Sequence, residues 1–333
     1  MKLLFSPGDI ERKVLLVLKI LNENQEPMGA RLISRHMKAR GVELSERTVR
    51  YHLKIMDERG LTTLVGNRDG RMITDAGREE LVNARVQDKI GLSISRIDVL
   101  AYKTTFDLKK KQGTVPVNVS FFPREQFHAI LEAMKPPFKK KIAVSDRIAI
   151  ADSGGKLGEI IVPDGKTGLA TVCSILINAV LLRHGVPIDS RFGGILQVKN
   201  GIPLRFVELI HYAGSSLDPS EIFISGKMTS VRQVVEEGEG KILANFREIP
   251  FVSLSLVEDI IAEFRQMGIE GVLAMGTIGN PICQTSVDAQ KVGMILIGGL
   301  NPVAYIHEKG FEVDNHAMSA VMEFDELHSI WDT

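Results

Sequence analysis

Two cysteines in 333 residues, Cys173 and Cys283, leave no material for a disulfide framework or a four-cysteine metal site. Neither His-x-x-x-His nor Cys-x-x-Cys occurs, so the short spacings that hold a metal are missing, and no metal, cofactor or catalytic group is expected. No apolar run is long enough to cross a bilayer, and even Val172–Leu182 is too short. The opening Met1-Lys2-Leu3-Leu4-Phe5-Ser6-Pro7 is too short in apolar residues for a signal peptide. A reducing cytoplasm and no membrane partner are expected. Net charge is zero, so attraction to a polyanion must come from local charge.

The charge that is present is unevenly placed. Residues 1–90 carry 17 Lys/Arg against 13 Asp/Glu, whereas the remainder carries 24 against 28. Within 31–54 the balance is 7 basic to 2 acidic. That window ends in Ser45-Glu46-Arg47-Thr48-Val49-Arg50-Tyr51-His52-Leu53-Lys54. At about 100° per residue, Val49, Leu53 and Met56 share one side of a helix, with Ser45 and His52 at its margin. Arg47, Arg50, Tyr51 and Lys54 occupy the opposite arc. An apolar back behind a basic, hydrogen-bonding front suits a helix lying in a DNA major groove. The alternative is a solvated charged face.

The neighbouring sequence favours DNA. Asp9 is placed to cap a helix to about Asn22, with Val14, Leu15, Leu18 and Leu21 at helical spacing. A second helix spans about Ala30–Ala39, and Ser45 caps the third, which Gly60 ends. Leu61–Val65 and Arg71–Thr74 flank Gly66-Asn67-Arg68-Asp69-Gly70, a hairpin signature. Three helices followed by a hairpin predict a winged helix-turn-helix over 1–75. Thr74 or Asp75 then caps a connecting helix of about Ala76–Gln87, within a linker spanning 76–90.

From 91 to 330 the texture predicts a mixed α+β domain. Ile97–Phe106 and Val115–Phe122 read as paired strands, and Pro123 opens a helix to about Met134. Ile142–Ile150 and Ile160–Val162 read as strands, and Thr167–His184 as one long buried helix. Ser255-Leu256-Val257-Glu258 has the form of a capping box for a helix ending near Gly268. Gly271–Met275 and Met294–Ile297 read as strands, and Asn301-Pro302 begins a further helix. Arg183–Arg191 resembles Glu308–His316, each a helix end, a glycine and a strand opening on Asp. Two similar halves would explain that; so would the common grammar of helix, glycine and strand.

Candidate contacts follow from these placements. Arg47 and Arg50, with Thr48 beside them, are positioned for base edges, where a guanidinium can donate to guanine O6 and N7. Tyr51 and Lys54 suit phosphates, as do Arg31, Arg35 and Lys38 on the preceding helix. Arg68 and Arg71 sit at the wing and could reach a minor groove or backbone. Gly165-Lys166-Thr167 resembles the end of a phosphate loop, but Ile160 stands where the motif needs glycine. What remains is a turn feeding a predicted helix, an anion site or a capped turn. Arg191 beside Gly193 and Gly194, and the loop carrying Thr277, Gly279 and Asn280, could add a guanidinium and close backbone amides for a small dicarboxylate. Cys173, inside an apolar helix, reads as packing rather than as a nucleophile.

The helix and its close, Asp57-Glu58-Arg59-Gly60-Leu61, resemble the winged helix of the archaeal nitrogen-responsive repressors, the NrpR family. Thr171-Val172-Cys173-Ser174-Ile175, Ser190-Arg191-Phe192-Gly193-Gly194 and Ile297-Gly298-Gly299-Leu300-Asn301-Pro302 resemble that family's regulatory domain, so the likeness covers nearly the whole chain. It implies a repressor of nitrogen-assimilation genes that binds inverted-repeat operator DNA and is released by 2-oxoglutarate. Family members often carry two regulatory domains, and this chain has room for one. Self-association, or a second chain bringing another regulatory domain, is therefore expected. The rival expectations are a winged-helix regulator answering another anionic metabolite or a partner protein, and an enzyme whose winged helix docks RNA or protein.

Overall fold

The computed structural model describes residues 7–24, 26–40, 42–65, 70–83 and 91–333. Two compact units divide the chain, Met1–Ile90 and Gly91–Thr333. No described helix is long and apolar enough to cross a membrane.

The first unit runs α1 (Pro7–Glu23), α2 (Ala30–Ala39), α3 (Glu46–Glu58), β1 (Thr62–Val65), β2 (Gly70–Ile73) and α4 (Asp75–Asn83). The order is that of a winged helix. Val17, Leu18, Ile33, Met37, Val49, Leu53 and Met56 form its buried centre, each at the helical spacing that puts it inward. α1 begins at Pro7, so Asp9 lies in its first turn and is not its cap. Ser45 caps α3 as expected, its side chain accepting the Thr48 N–H at 3.2 Å. Met28 exchanges two backbone hydrogen bonds of 3.0 Å with Arg71, a single bridge that ties the segment before α2 to the wing hairpin. Thr74 settles the cap of α4: its hydroxyl accepts the Gly77 N–H and donates to the Gly60 carbonyl. The hairpin tip with Arg68, and the connecting helix beyond Asn83, lie outside the described residues.

The second unit is α+β and built twice. Its first half contains α5 (Leu92–Lys103), β3 (Thr114–Pro123), α6 (Phe127–Lys139), β4 (Arg147–Asp152), the small hairpin β5 (Lys156–Leu157) and β6 (Ile160–Ile161), β7 (Lys166–Val172), α7 (Ile175–Arg183) and β8 (Asp189–Lys199). β9 (Ile202–His211), α8 (Pro219–Ser225) and α9 (Val231–Glu237) follow. The second half contains β10 (Gly240–Pro250), α10 (Leu254–Gln266), β11 (Val272–Met275), β12 (Lys291–Ile297), α11 (Asn301–Glu308), β13 (Asp314–Glu323) and β14 (His328–Ser329). β3, α6, β4, β7, α7 and β8 correspond in order to β10, α10, β11, β12, α11 and β13. Both β3 and β10 end in proline and a three-residue 3-10 turn before the helix.

Each half sends its last strand into the other half's sheet. The two antiparallel sheets are ordered β13-β3-β7-β4-β14 and β11-β12-β10-β8-β9. Thus β8 pairs with β10 and β13 with β3, and neither sheet is complete without the other half. The crossing is tight where α11 begins: a Cβ on Gly298 would sit 2.6 Å from the Leu243 Cβ and 2.8 Å from its carbonyl oxygen. Next to it, fully buried Asn301 accepts the Leu243 N–H at 2.8 Å and donates to its carbonyl at 3.0 Å.

Several sequence expectations are corrected. Ile97–Phe106 is not a strand but falls mostly in α5, where Ser93, Ile97, Leu100 and Ala101 are the buried face. β3 pairs instead with β7 and β13. The run Thr167–His184 is a strand and a helix, split at Cys173-Ser174, because apolar residues without period read alike in a central strand and a buried helix. α6 continues through Pro136 and Pro137 to Lys139. Ile142–Ile150 shortens to a strand beginning at Arg147. Ser255 lies within the first turn of α10, and Ser253 stands at its cap position. The resemblance of Arg183–Arg191 to Glu308–His316 is structural, since both open exchanged strands.

Asn301→Ala leaves two buried backbone groups of Leu243 short of a side-chain partner, so it should cost about 1–3 kcal/mol. Urea unfolding monitored by circular dichroism measures this, and an unchanged midpoint would refute the bracing role of Asn301.

Candidate functional site

The outward face of α3 is as the sequence placed it. Val49, His52, Leu53 and Met56 are buried, whereas Arg47, Arg50, Tyr51 and Lys54 are exposed. Tyr51 presents 61% of its surface, too much for a side chain that serves only packing. Arg50 donates to Glu46 at 2.6 Å one turn earlier, which holds the guanidinium over the start of the helix. Lys54 faces Glu58 at 3.9 Å. These are solvated pairs that a phosphate or a base can displace at small cost. Thr48 shares its hydroxyl with Ser45 at 2.8 Å as part of the cap. Arg31, Arg35 and Lys38 are exposed on α2, with Lys38 donating to Glu43 at 2.6 Å. Arg71 is placed differently. Its Nε donates to Asp57 at 2.9 Å and its side chain is only 17% exposed, so it braces the wing against α3. His52 is deeper than the margin predicted for it, and burial pushes its imidazole below the ordinary histidine range.

The candidate ligand residues do not share one pocket. Lys166 opens strand β7, not a helix, and donates to Glu312 at 3.2 Å. Thr167 is buried, with its hydroxyl on Asp152 at 3.2 Å. The helix N-terminus expected to attract an anion there is therefore absent. Arg191 lies on β8 among Asp189, Glu248 and Asp288 at 3.3, 3.7 and 3.3 Å. Lys291 contacts the same three carboxylates at 3.0–3.3 Å. Hydrogen bonding from Lys291, with Arg191 behind it, holds the Asp288 carboxyl below its usual range. Gly193 and Gly194 serve packing: added Cβ atoms would strike Pro219 and Tyr212, and Phe206 and the Glu208 carbonyl. Thr277, Gly279 and Asn280 form an exposed loop folded on the start of β12, where the Gly279 N–H donates to the Lys291 carbonyl at 2.9 Å. Arg191 and this loop thus meet Lys291 from two sides, whereas Lys166 and Thr167 belong to the other sheet.

A different set of side chains converges where the two halves meet. Asn118 on β3 and Asn245 on β10 are equivalent, each five positions before the strand's final proline. They line a cleft with Ser174-Ile175 at the start of α7 and Gly299-Leu300 at the start of α11, again equivalent positions, and with Cys173. Tyr212, Asp218, Ser220 and Arg247 complete its polar wall. Free space is about 20 Å³, room for about one water.

The wall is hydrogen-bonded except where it faces that space. Tyr212 donates to Asn245, whose amide donates to Ser174 at 3.2 Å. Asn118 accepts the Met318 N–H at 3.0 Å, and its amide nitrogen has no partner. Asp218 is committed to the N-terminus of α8, accepting from Ser220 and Glu221, and burial pushes its carboxyl upward. Burial also pushes the Cys173 thiol up to about 12 and Tyr212 up to about 12, so both stay protonated donors at neutral pH.

Arg247 is the unusual member. It is 1% exposed, lies 4.8 Å over the Tyr212 ring, and donates to the Phe246 carbonyl at 3.2 Å and to Asn178 at 3.5 Å. Among the described residues no carboxylate lies within 4.0 Å of its guanidinium. A buried cation without an anion is costly, and an anionic ligand would relieve that cost. Sequence reading missed this set because Asn118 sits on β3 whereas Asn245 and Arg247 sit on β10, far apart along the chain. The signal that finds the two asparagines is the repeated strand-Pro-turn-helix pattern.

Comparison with known proteins agrees with both units. Residues 90–329 match the family model described as NrpR regulatory domains NRD1 and 2. Residues 15–81 match that of the ribonuclease R winged-helix domain. The chain is 36% identical over 321 residues to the global nitrogen regulator NrpRI of Methanosarcina mazei, covering 96% of this chain and 98% of that one. It is 33% identical to the global nitrogen regulator NrpR of Methanocaldococcus jannaschii, covering 97% of this chain but 56% of that one. A crystal structure of a nitrogen repressor-like protein from Methanococcus jannaschii superimposes with a TM-score of 0.62 at 26% identity, covering 72% of this chain and 98% of that one. On the regulatory-domain match and these relatives, the chain belongs to the NrpR family of nitrogen regulators.

Proposed function

We propose that this nitrogen regulator is a repressor that binds inverted-repeat operator DNA through α3 and leaves it when 2-oxoglutarate occupies the cleft between the repeated halves. The observation that carries the effector half is Arg247, a buried guanidinium with no carboxylate partner among the described residues. One ligand carboxylate would pair with it, while the unpaired Asn118 amide and the hydroxyls of Ser174 and Tyr212 bind the remaining oxygens. Arg191 is the weaker anchor because three carboxylates already surround it.

The reading also requires a change of shape. A dicarboxylate is much larger than the free space, so its entry must part walls contributed by both halves. Binding can bias the protein only if the parted form binds 2-oxoglutarate more tightly than the closed form. The closed form would then be the one that holds DNA. On the DNA side, Arg47 and Arg50 would read base edges, with Tyr51, Lys54 and the basic residues of α2 on phosphates. The match of residues 15–81 to a ribonuclease's winged helix supports a second reading, in which RNA is the ligand of the same face.

Arg50→Ala should weaken operator binding by about 1–3 kcal/mol, with circular dichroism unchanged. Gel shift against duplex and against RNA of the same sequence measures it, and unaltered duplex affinity would remove Arg50 from the reading surface. For the effector, calorimetric titration with 2-oxoglutarate should give no binding to Arg247→Gln and normal binding to Arg191→Gln. The reverse pattern would move the site to the Arg191 cluster.

A further inference from the structure

We propose that the bulge at residues 317–319 of β13 is the gate of the cleft, with the Met318 side chain as its plug, and that the cleft opens when this bulge lifts away from Asn118. Its consequence for the effector rests on the reading of the cleft given above, whereas the movement itself needs no effector.

The pairing of β13 with β3 is regular on both sides of one break. His316 pairs with Val119 and Ala320 with Val117, so Ala317, Met318 and Ser319 together stand opposite the single residue Asn118. Three residues in the place of one must leave the plane of the sheet. At the equivalent seam of the other half, Gly193 alone stands opposite Asn245. The duplicated architecture therefore does not require the bulge. Met318 also takes a φ of 51°, in the left-handed region that glycine enters freely and a residue with a Cβ does not. Strain of this kind persists only where the surroundings hold it in place.

Side chains hold it. Asn118 accepts the Met318 N–H at 3.0 Å, and Glu221 of α8 accepts the Ala317 N–H at 2.6 Å. Ser319 accepts the Val119 N–H at 3.1 Å and donates to the His316 carbonyl. Rotation of a side chain breaks each of these bonds without unzipping the pairs on either side. β13 is an edge strand, so no further strand pins the bulge. Met318 is 5% exposed, lines the cleft beside Cys173, and shares its apolar cluster with Ile97 and Leu300. Its unbranched thioether chain fills space that a ligand needs, and it repacks readily. Lifting the bulge empties that space and releases the whole Asn118 carboxamide and the Met318 N–H in one step. A ligand that takes up these groups binds the open form better than the closed one, which is what a shift between the two requires.

Alkylation of the cleft thiol in the full chain tests the gate without an effector. Cys173 is buried in the wall, so iodoacetamide reaches it only through an open cleft, and peptide mass spectrometry separates it from Cys283. Met318→Ala removes the plug and should raise the labelling rate of Cys173 by about tenfold or more. Met318→Leu keeps the volume and should label like the unmodified chain. Met294→Ala removes the same side chain from a fully buried site that does not line the cleft, and should leave the rate unchanged. A Met318→Ala rate no higher than that of the unmodified chain, or one that Met318→Leu or Met294→Ala equals, would overturn the proposal. In calorimetry Met318→Ala should bind 2-oxoglutarate about threefold or more tighter than the unmodified chain. Unchanged affinity would overturn the part of Met318 in ligand entry. No 2-oxoglutarate binding by any form, with labelling as expected, would fault the effector reading and still support the gate. Hydrogen exchange on the unmodified chain decides the matter should a variant misfold. Amides of Met318 and Val119 that exchange together and faster than the rest of β3 support a bulge that lifts by itself, and exchange no faster than the rest of β3 contradicts it.

Discussion

The strand exchange between the two halves of the second unit governs the rest of its structure. Because β8 completes the sheet built on β10, and β13 the sheet built on β3, neither half can bury its apolar face alone. Crossing the chain over in this way brings the starts of α7 and α11 together with the middles of β3 and β10. That junction is where two sheets and two helix starts must share a small space. Residues there are constrained to be small, as at Gly298 and Gly299, or to satisfy backbone groups across the seam, as at Asn301. The polar cleft is a product of that seam.

Duplication also supplies an internal control. Features present in both halves, such as the asparagine five residues before the strand-ending proline, belong to the architecture. Features present in one half need another reason. Arg247 has Ser120 as its counterpart, and the fold therefore does not need a buried guanidinium at that position. The same comparison separates β8, which the repeat requires, from β9, which it does not. The Arg191 cluster is likewise one-sided: the counterparts of Arg191, Glu248, Lys291 and Asp189 in the other sheet are His316, Phe121, Lys166 and Asp314, which keep one carboxylate rather than a ring of three. Its two cations are already paired with carboxylates, whereas Arg247 is not.

The winged helix was legible from sequence because each of its signals is local. The Ser45 cap, the inward spacing of Val49, Leu53 and Met56, and the basic arc of α3 all lie within fifteen residues. The second unit was legible only in class. Its central strand Lys166–Val172 is apolar on both faces and runs almost directly into a buried helix, so no change of period marks the boundary. The hairpin β8–β9 is marked in the sequence by Asn200-Gly201, both at positive φ. The cleft was not legible, since its members come from β3, β10, the residues that lead into α7 and α11, and the segment around Tyr212. Candidate residues chosen for local glycine and lysine patterns, such as Lys166 and Gly193, prove to serve strands and packing instead.

The central claim joins a DNA-reading helix to an effector cleft in one regulator. Fluorescence anisotropy of the purified chain on labelled duplex from its own upstream region, titrated with 2-oxoglutarate at fixed salt, tests that link most directly. The account predicts specific binding that 2-oxoglutarate reverses and glutarate does not. Specific binding that is indifferent to 2-oxoglutarate would contradict the coupling, and no preference for the upstream duplex over unrelated duplex would contradict the assignment of α3 as its reader.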